Sequence, residues 1–233
     1  MAWKIPNMWK DGECWIIGGG PSIPREFGIP EDVITSVSLK EAPLSTYSPF
    51  LSAIHGKHVI AVNAAFHLGR WVDIMTFGDT HFYYANHVEL LKFPNLRVGI
   101  NPSVTNDRPQ VYNVKQVLRD NNHLFGISRH KNKVSWNLNT GAASIDLAVK
   151  LGAKRIILLG FDMCRSPNGQ EHWHAHYRVA LNPRLEQQLP FKKHLDAFGP
   201  IANDAKRMGI EILNVSKRSA ITQFPIVELK DVL

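Results

Sequence analysis

Six short runs of apolar residues, each bounded by turn formers, punctuate the chain: Cys14 to Gly18, His58 to Asn63, Asp73 to Gly78, Leu96 to Ile100, Arg155 to Phe161 and Ile210 to Val215. They are strand-length, rich in β-branched residues and apolar on both faces, the pattern of parallel strands covered by helices on both sides. Helical periodicity fills part of the space between them. From Thr140 to Leu151, Ala143, Leu147, Ala148 and Leu151 fall on one stripe, with Thr140 placed to cap the start and Gly152 to close the end. A second stripe, Phe191, Leu195, Phe198, Ile201, Ala205 and Met208, runs up to Gly209, with Pro200 expected to kink or break it. Both helical stretches feed directly into a strand. The rhythm predicts an α/β, Rossmann-like fold with a mainly parallel central sheet and helices on both faces.

The 233 residues are read as a single domain spanning 1–233, since no stretch has the composition of a linker and no internal repeat is present. Residues 102–135 are polar, Asn-rich and poorly periodic, so an irregular lid or insertion is expected there. With 44% hydrophobic residues the chain can bury a sizeable core, which excludes disorder as the main state. No window reaches the ~20 uninterrupted apolar residues of a membrane span. The first residues carry lysines but no apolar core of a secretory signal, so cytoplasmic residence is the expectation. Two cysteines, Cys14 and Cys164, supply neither a disulfide framework nor a four-cysteine zinc site.

The net charge of +7 favours an anionic partner. A nucleotide or nucleotide-sugar fits better than nucleic acid, because the basic residues are dispersed and the longest cluster is RHKNK at 129–133.

Five segments carry candidate chemistry. In IIGGGPS a strand runs into Gly18, Gly19 and Gly20, then Pro21 and Ser22; such a bend lets a phosphate approach the backbone, or is simply a tight turn. It is not a full dinucleotide fingerprint, because Ile23 stands where the last glycine would fall. Asn63 ends a strand, where its amide can read a base or ribose, or close an Asx-turn. Asp79 follows a strand and can hold a ribose hydroxyl, a metal or a proton, or act as a helix N-cap. Asn139, Thr140 and Gly141 open the clearest helix and make a second anion seat. In EHWHAHYR, His172, His174 and His176 alternate, so an extended backbone points all three to one side. They suit zinc or another divalent metal, or an acid–base histidine with two neighbours to orient it.

The order GGGPSI, VNAAF, VDIMTFGDTHFY, NTGAASIDLAVKLGAKRIILLGFDMC and GIEILNVSKRSAI resembles the Rossmann-like superfamily shared by DUF115 (6-hydroxymethylpterin diphosphokinase-like) proteins and bacterial CMP-sialic-acid sialyltransferases. The resemblance runs from about Cys14 to Phe224, and HWH followed by a further His and an NP pair is similar to phage and prophage proteins, which implies a host-cytoplasmic setting. It implies that Gly18, Gly20, Pro21 and Ser22 line the nucleotide phosphate, that Asn63 contacts the nucleotide, and that Thr140 and Gly141 hold the sugar or phosphate end. It also implies a single histidine base, His176 before His174. Two positions depart from the sialyltransferase pattern: Gly19 stands where those enzymes have Asn, and Cys164 where they have Tyr. The expected activity is group transfer from a nucleotide donor, most simply glycosyl transfer. The alternatives are a pyrophosphoryl transferase, with Mg²⁺ on Asp79 and Asp162, and a non-catalytic phage assembly protein that keeps the fold.

Overall fold

The computed structural model describes residues 3–100, 114–174 and 191–233. Seven parallel strands form the central sheet: β1 (Glu13–Ile17), β2 (His58–Val62), β3 (Ile74–Phe77), β4 (Leu96–Gly99), β5 (Val114–Gln116), β8 (Arg155–Leu159) and β9 (Glu211–Asn214), in the order β5-β4-β3-β2-β1-β8-β9. A two-stranded parallel ribbon, β6 (Leu118–Arg119) and β7 (Lys133–Val134), stands beside it. All six sequence-read strands form, at the positions where both faces are apolar.

Alternation along each strand sorts the core into two layers. On one face Trp15, Ile17, Val59, Ala61, Met75 and Phe77 pack against helix α2 (Glu31–Ser38), a tightly wound 3₁₀ stretch at Leu44–Ile54 and helix α3 (Thr80–Lys92). On the other, Cys14, Ile16, Ile60, Val62, Ile156 and Leu158 pack against α4 (Thr140–Lys150) and α6 (Phe198–Met208). Each fully buried Leu, Ile or Val contributes roughly 1.5–3 kcal/mol. The sheet therefore holds through burial rather than strand propensity.

Two helix readings are corrected. The cap of α4 is Asn139, whose side chain accepts from the Ala142 N–H at 2.7 Å, so Thr140 is the first helical residue; Gly152 follows the helix at φ +105°, as expected. The stripe from Phe191 divides into α5 (Phe191–Leu195) and α6, with the break at 196–197 rather than at Pro200. Pro200 lies in the first turn of α6, where a missing N–H costs nothing. A further short helix, α1 (Ile23–Glu26), follows the glycine bend.

The described part of the expected lid is pinned down by buried carboxylates. Asp146 on α4 accepts from the N–H groups of Ser128 and Ser135, and Asp204 on α6 from that of Ile127.

From β1 the chain adds β2, β3 and β4 outward on one side; it then returns to add β8 and β9 on the other. Neighbouring strands whose connections depart in opposite directions leave a crevice beyond their carboxyl ends. Here that crevice lies between β1 and β8.

Candidate functional site

The crevice floor is built by close backbone approach. The Gly18 N–H donates to the Leu159 carbonyl and the Gly20 N–H to the Gly160 carbonyl, both at 2.8 Å, so the bend after β1 is stitched to the end of β8. A Cβ at Gly18 would lie 2.7 Å from the Gly160 oxygen, and one at Gly20 would lie 1.8 Å from Asp162 Oδ2. Both glycines are required by protein neighbours, whatever a ligand demands.

Asp162 is the anchor of this packing. Its Oδ2 accepts from Ser22 Oγ at 3.0 Å and from the Ser22 N–H at 3.4 Å, while Ser22 Oγ also meets Ser216 Oγ at 3.1 Å. Burial raises the carboxyl to about 6 against the lowering pull of Ser22. With Oδ2 shared in this way, Asp162 braces the bend. Ser22 is likewise turned inward and does not cap α1, a single turn whose dipole is small.

The histidine segment folds back onto the same bend. Trp173 is buried against Tyr47, and its Nε1–H donates to the Gly18 carbonyl at 2.9 Å while its backbone N–H donates to the Gly19 carbonyl at 3.1 Å. Its neighbours are thereby set beside Gly19: a Cβ there would lie 3.0 Å from His172 Nδ1 and 3.6 Å from His174 Nε2. The two imidazoles are parallel, with centroids 5.3 Å apart. His172 Nδ1 lies 3.2 Å from the Gly19 carbonyl, which can only accept, so Nδ1 carries the proton; burial depresses its basicity and keeps the ring neutral. His176 lies outside the described residues. Among the described residues no group of three metal-ligating side chains is assembled.

The start of α4 reaches the same crevice. The ring of Phe161, almost fully buried at the end of β8, lies between the two elements: a Cβ at Gly18 would stand 3.2 Å from it and one at Gly141 3.1 Å. Phe161 is thus the shared floor of the glycine bend and the helix start. At the start of α4, Gly78 at the end of β3 is flush with Trp136 and Thr140; a Cβ there would meet Trp136 Cη2 at 2.6 Å and Thr140 Oγ1 at 2.8 Å.

Asp79 follows Gly78. It occupies the N-cap position of α3 but makes no capping bond, and desolvation of its carboxyl raises it above the ordinary range, against the pull of His81 and Arg119. Asn63 ends β2 in the left-handed region at φ +51°, and its buried Oδ1 has no hydrogen-bond partner among the described residues. The side-chain bond of an Asx-turn is therefore not made.

Three site residues escaped the sequence reading. Arg119 lies over Trp136, which abuts Gly78 beside Thr140, and His194 on α5 is half-buried beside the cap of α4, its carbonyl accepting from Asn139 Nδ2 at 3.4 Å. No local motif marks any of them. The histidines unpartnered in sequence find structural company: His123 pairs with Asp204, His87 bonds the Tyr84 carbonyl, and His67 lies on Phe66.

No protein-family model and no curated protein sequence matches the chain. Among solved structures it is similar to the MAf glycosyltransferase from Magnetospirillum magneticum AMB-1, at 14% identity and a TM-score of 0.58 over 97% of this chain and 35% of that one. It is similar also to the monofunctional α-2,3-sialyltransferase Cst-I from Campylobacter jejuni, at 13% identity and a TM-score of 0.51 over 94% of this chain and 80% of that one. The chain shares its fold with these glycosyltransferases. Against the MAf enzyme it spans about a third of the partner's length. No helix among the described residues is long and apolar enough to cross a membrane.

Proposed function

We propose that the chain is a nucleotide-dependent group transferase, most simply a glycosyltransferase, that binds a nucleotide-activated donor at the carboxyl edge of the sheet. One observation supports this above the rest: Phe161 lies between the glycine bend and the start of α4, while the His-Trp-His segment is bonded onto that bend. That supports a reading in which an anion seat and an acid–base group share one crevice, as group transfer from a phosphate leaving group requires.

In this reading the donor's phosphate sits on the first N–H groups of α4, at Thr140 and Gly141, with the Gly18 to Ser22 bend as the packed wall beside it. Asn63, with its unspent amide oxygen, reads the nucleoside, and Asn139 fixes the helix start. His176 takes the acceptor's proton, with His172 and His174 orienting the segment. The diphosphokinase-like and phage-assembly alternatives make different demands on ligand and metal, so a ligand screen separates them.

Thermal-shift titrations with CMP, CDP, UDP, GDP, ATP and a pterin, each with and without Mg²⁺, are expected to show stabilisation by at least one pyrimidine nucleotide without the metal. His176→Ala is expected to keep that binding and lose at least ~100-fold in donor turnover, the weight of a general base. No stabilisation by any nucleotide would overturn the transferase reading and favour the assembly protein. A Mg²⁺-dependent shift with ATP and the pterin would favour pyrophosphoryl transfer. Stoichiometric zinc lost in His172→Ala would make the histidines a metal site instead.

A further inference from the structure

Beside the start of α4 lie two charged side chains, Arg119 and Asp79, that the transferase reading leaves unused. Arg119 leaves the carboxyl end of β5 through Val117, whose N–H donates to the Gly99 carbonyl at 3.1 Å, and its guanidinium carbon lies 4.1 Å from the centroid of Trp136. Trp136 is itself fixed. It is wedged against Gly78, and the next residue, Asn137, is fully buried with its amide bonded to both the N–H and the carbonyl of Gly126. A guanidinium already resting over a packed indole loses little further freedom when it binds a ligand.

Arg119 nonetheless leaves hydrogen-bonding capacity unspent. Its Nε is buried and has no hydrogen-bond partner among the described residues. Asp79 acts on it only at a distance, and no ion pair closes between them among the described residues. Asp79 has in turn forgone the capping bond that its position on α3 offers. A surface salt bridge would have closed the gap; a helix cap would have turned Asp79 away. Neither is made, and the Trp136 ring that carries Arg119 abuts Gly78, the residue before Asp79, beside Thr140 Oγ1.

We propose that Arg119 and Asp79 form a ligand-binding pair, in which Arg119 takes an anionic group of the donor and Asp79 accepts from a neighbouring hydroxyl. The anionic group is an oxyanion, phosphoryl or carboxylate, since both offer the paired oxygens a guanidinium fork matches. Sugar nucleotides carry such an oxyanion and a hydroxyl a few bonds apart. This deepens the transferase reading and rests on it.

Calorimetric titration of the full chain with CMP, cytidine, UDP-glucose and UDP-glucuronate tests the pair and identifies the oxyanion. Arg119→Gln removes the charge at similar length; Arg119→Lys keeps the charge and the stem over Trp136 but loses the fork. If the oxyanion is the phosphate, CMP affinity falls ~10- to 100-fold in Arg119→Gln, and less in Arg119→Lys, while cytidine affinity is unchanged. If it is a sugar carboxylate, the loss appears as a vanished preference for UDP-glucuronate over UDP-glucose. Melting curves of both variants within a few degrees of the parent exclude a folding defect. Parent protein that binds a nucleotide, with both variants binding it equally well and without changed preference, overturns the pair and leaves the transferase reading standing. Parent protein that binds none of the four overturns the pair, and if no nucleotide of the thermal-shift screen binds either, the transferase reading falls with it.

Discussion

The two walls of the crevice are built on opposite plans. On the glycine-bend wall nearly every polar group is consumed by the protein: Gly18 and Gly20 donate to β8, Ser22 and Asp162 bond each other, and the Gly18 and Gly19 carbonyls accept from Trp173. On the α4 wall polar groups are left over: the Arg119 Nε makes no bond among the described residues and Asp79 does not cap its helix. The first wall is rigid because its groups are spent. The second can recognise because its groups are not. A glycine-rich turn is commonly read as the place where a ligand is gripped, yet here its glycines first answer to neighbouring backbone and carboxylate. Substitutions on the bend wall should therefore register as stability, and those on the α4 wall as affinity.

The sharpest break of that contrast is Gly20→Ala. The new methyl would fall on Asp162 Oδ2 and lie 2.6 Å from the Gly160 oxygen, and backbone cannot yield as a flexible side chain does. Such overpacking is expected to cost about 3 kcal/mol, seen as a melting-temperature loss of roughly 6–12 °C for a chain of this size. A loss under ~2 °C would show the bend to be looser than its bonds imply.

Asp162→Asn sharpens the contrast in the opposite direction. Burial lifts this carboxyl from an ordinary 3.8 to about 6, so between those values the folded protein binds the proton that the unfolded chain has released. Its contribution to stability falls as pH rises from about 4 to 6, and above 6 the penalty is complete, up to about 3 kcal/mol. Asparagine keeps an oxygen for Ser22 and carries no charge to bury. The variant should match or exceed the parent's melting temperature at pH 7 and show a shallower fall between pH 4 and 6. The slope will not vanish, because Asp146 is also raised to about 6. A large loss at pH 7 with an unchanged slope would mean that the carboxylate's charge serves something other than Ser22.

How much of this was legible follows from where the information sits. The six strands could be read because burial on both faces leaves an unbroken apolar run. Strands β5, β6 and β7, of two or three residues each, are too short to have a period. Helix α3 was invisible for another reason. Phe82, Tyr83 and Leu90 are buried while Tyr84, Val88 and Leu91 stay exposed, so apolar residues ring the helix and no stripe emerges. The bend, the histidine segment and the α4 start were each visible as local motifs. Their convergence was not, since it depends on β8 lying beside β1 and on Trp173 reaching back to Gly18. Arg119 and Trp136 meet only through tertiary packing, and nothing in their immediate neighbours announces it.

The smallest expected effect compares two helix starts of the same crevice. Asn139 caps α4 with a 2.7 Å bond to the Ala142 N–H, and losing such a cap costs ~0.5–2 kcal/mol. Asp79 occupies the same position on α3 without the bond, and its side chain is exposed. Asn139→Ala should thus lower stability by about 1 kcal/mol, whereas Asp79→Ala should change it by less than ~0.5 kcal/mol, as an uninvolved surface residue does. Chemical denaturation of the two variants, without ligand, reads the difference directly. If the two losses were equal, Asp79 would be capping α3 after all, and its carboxylate would be no more available to a ligand than that of Asp162. If they differ as expected, the acid beside Arg119 is retained at a position where the fold gains nothing from its charge.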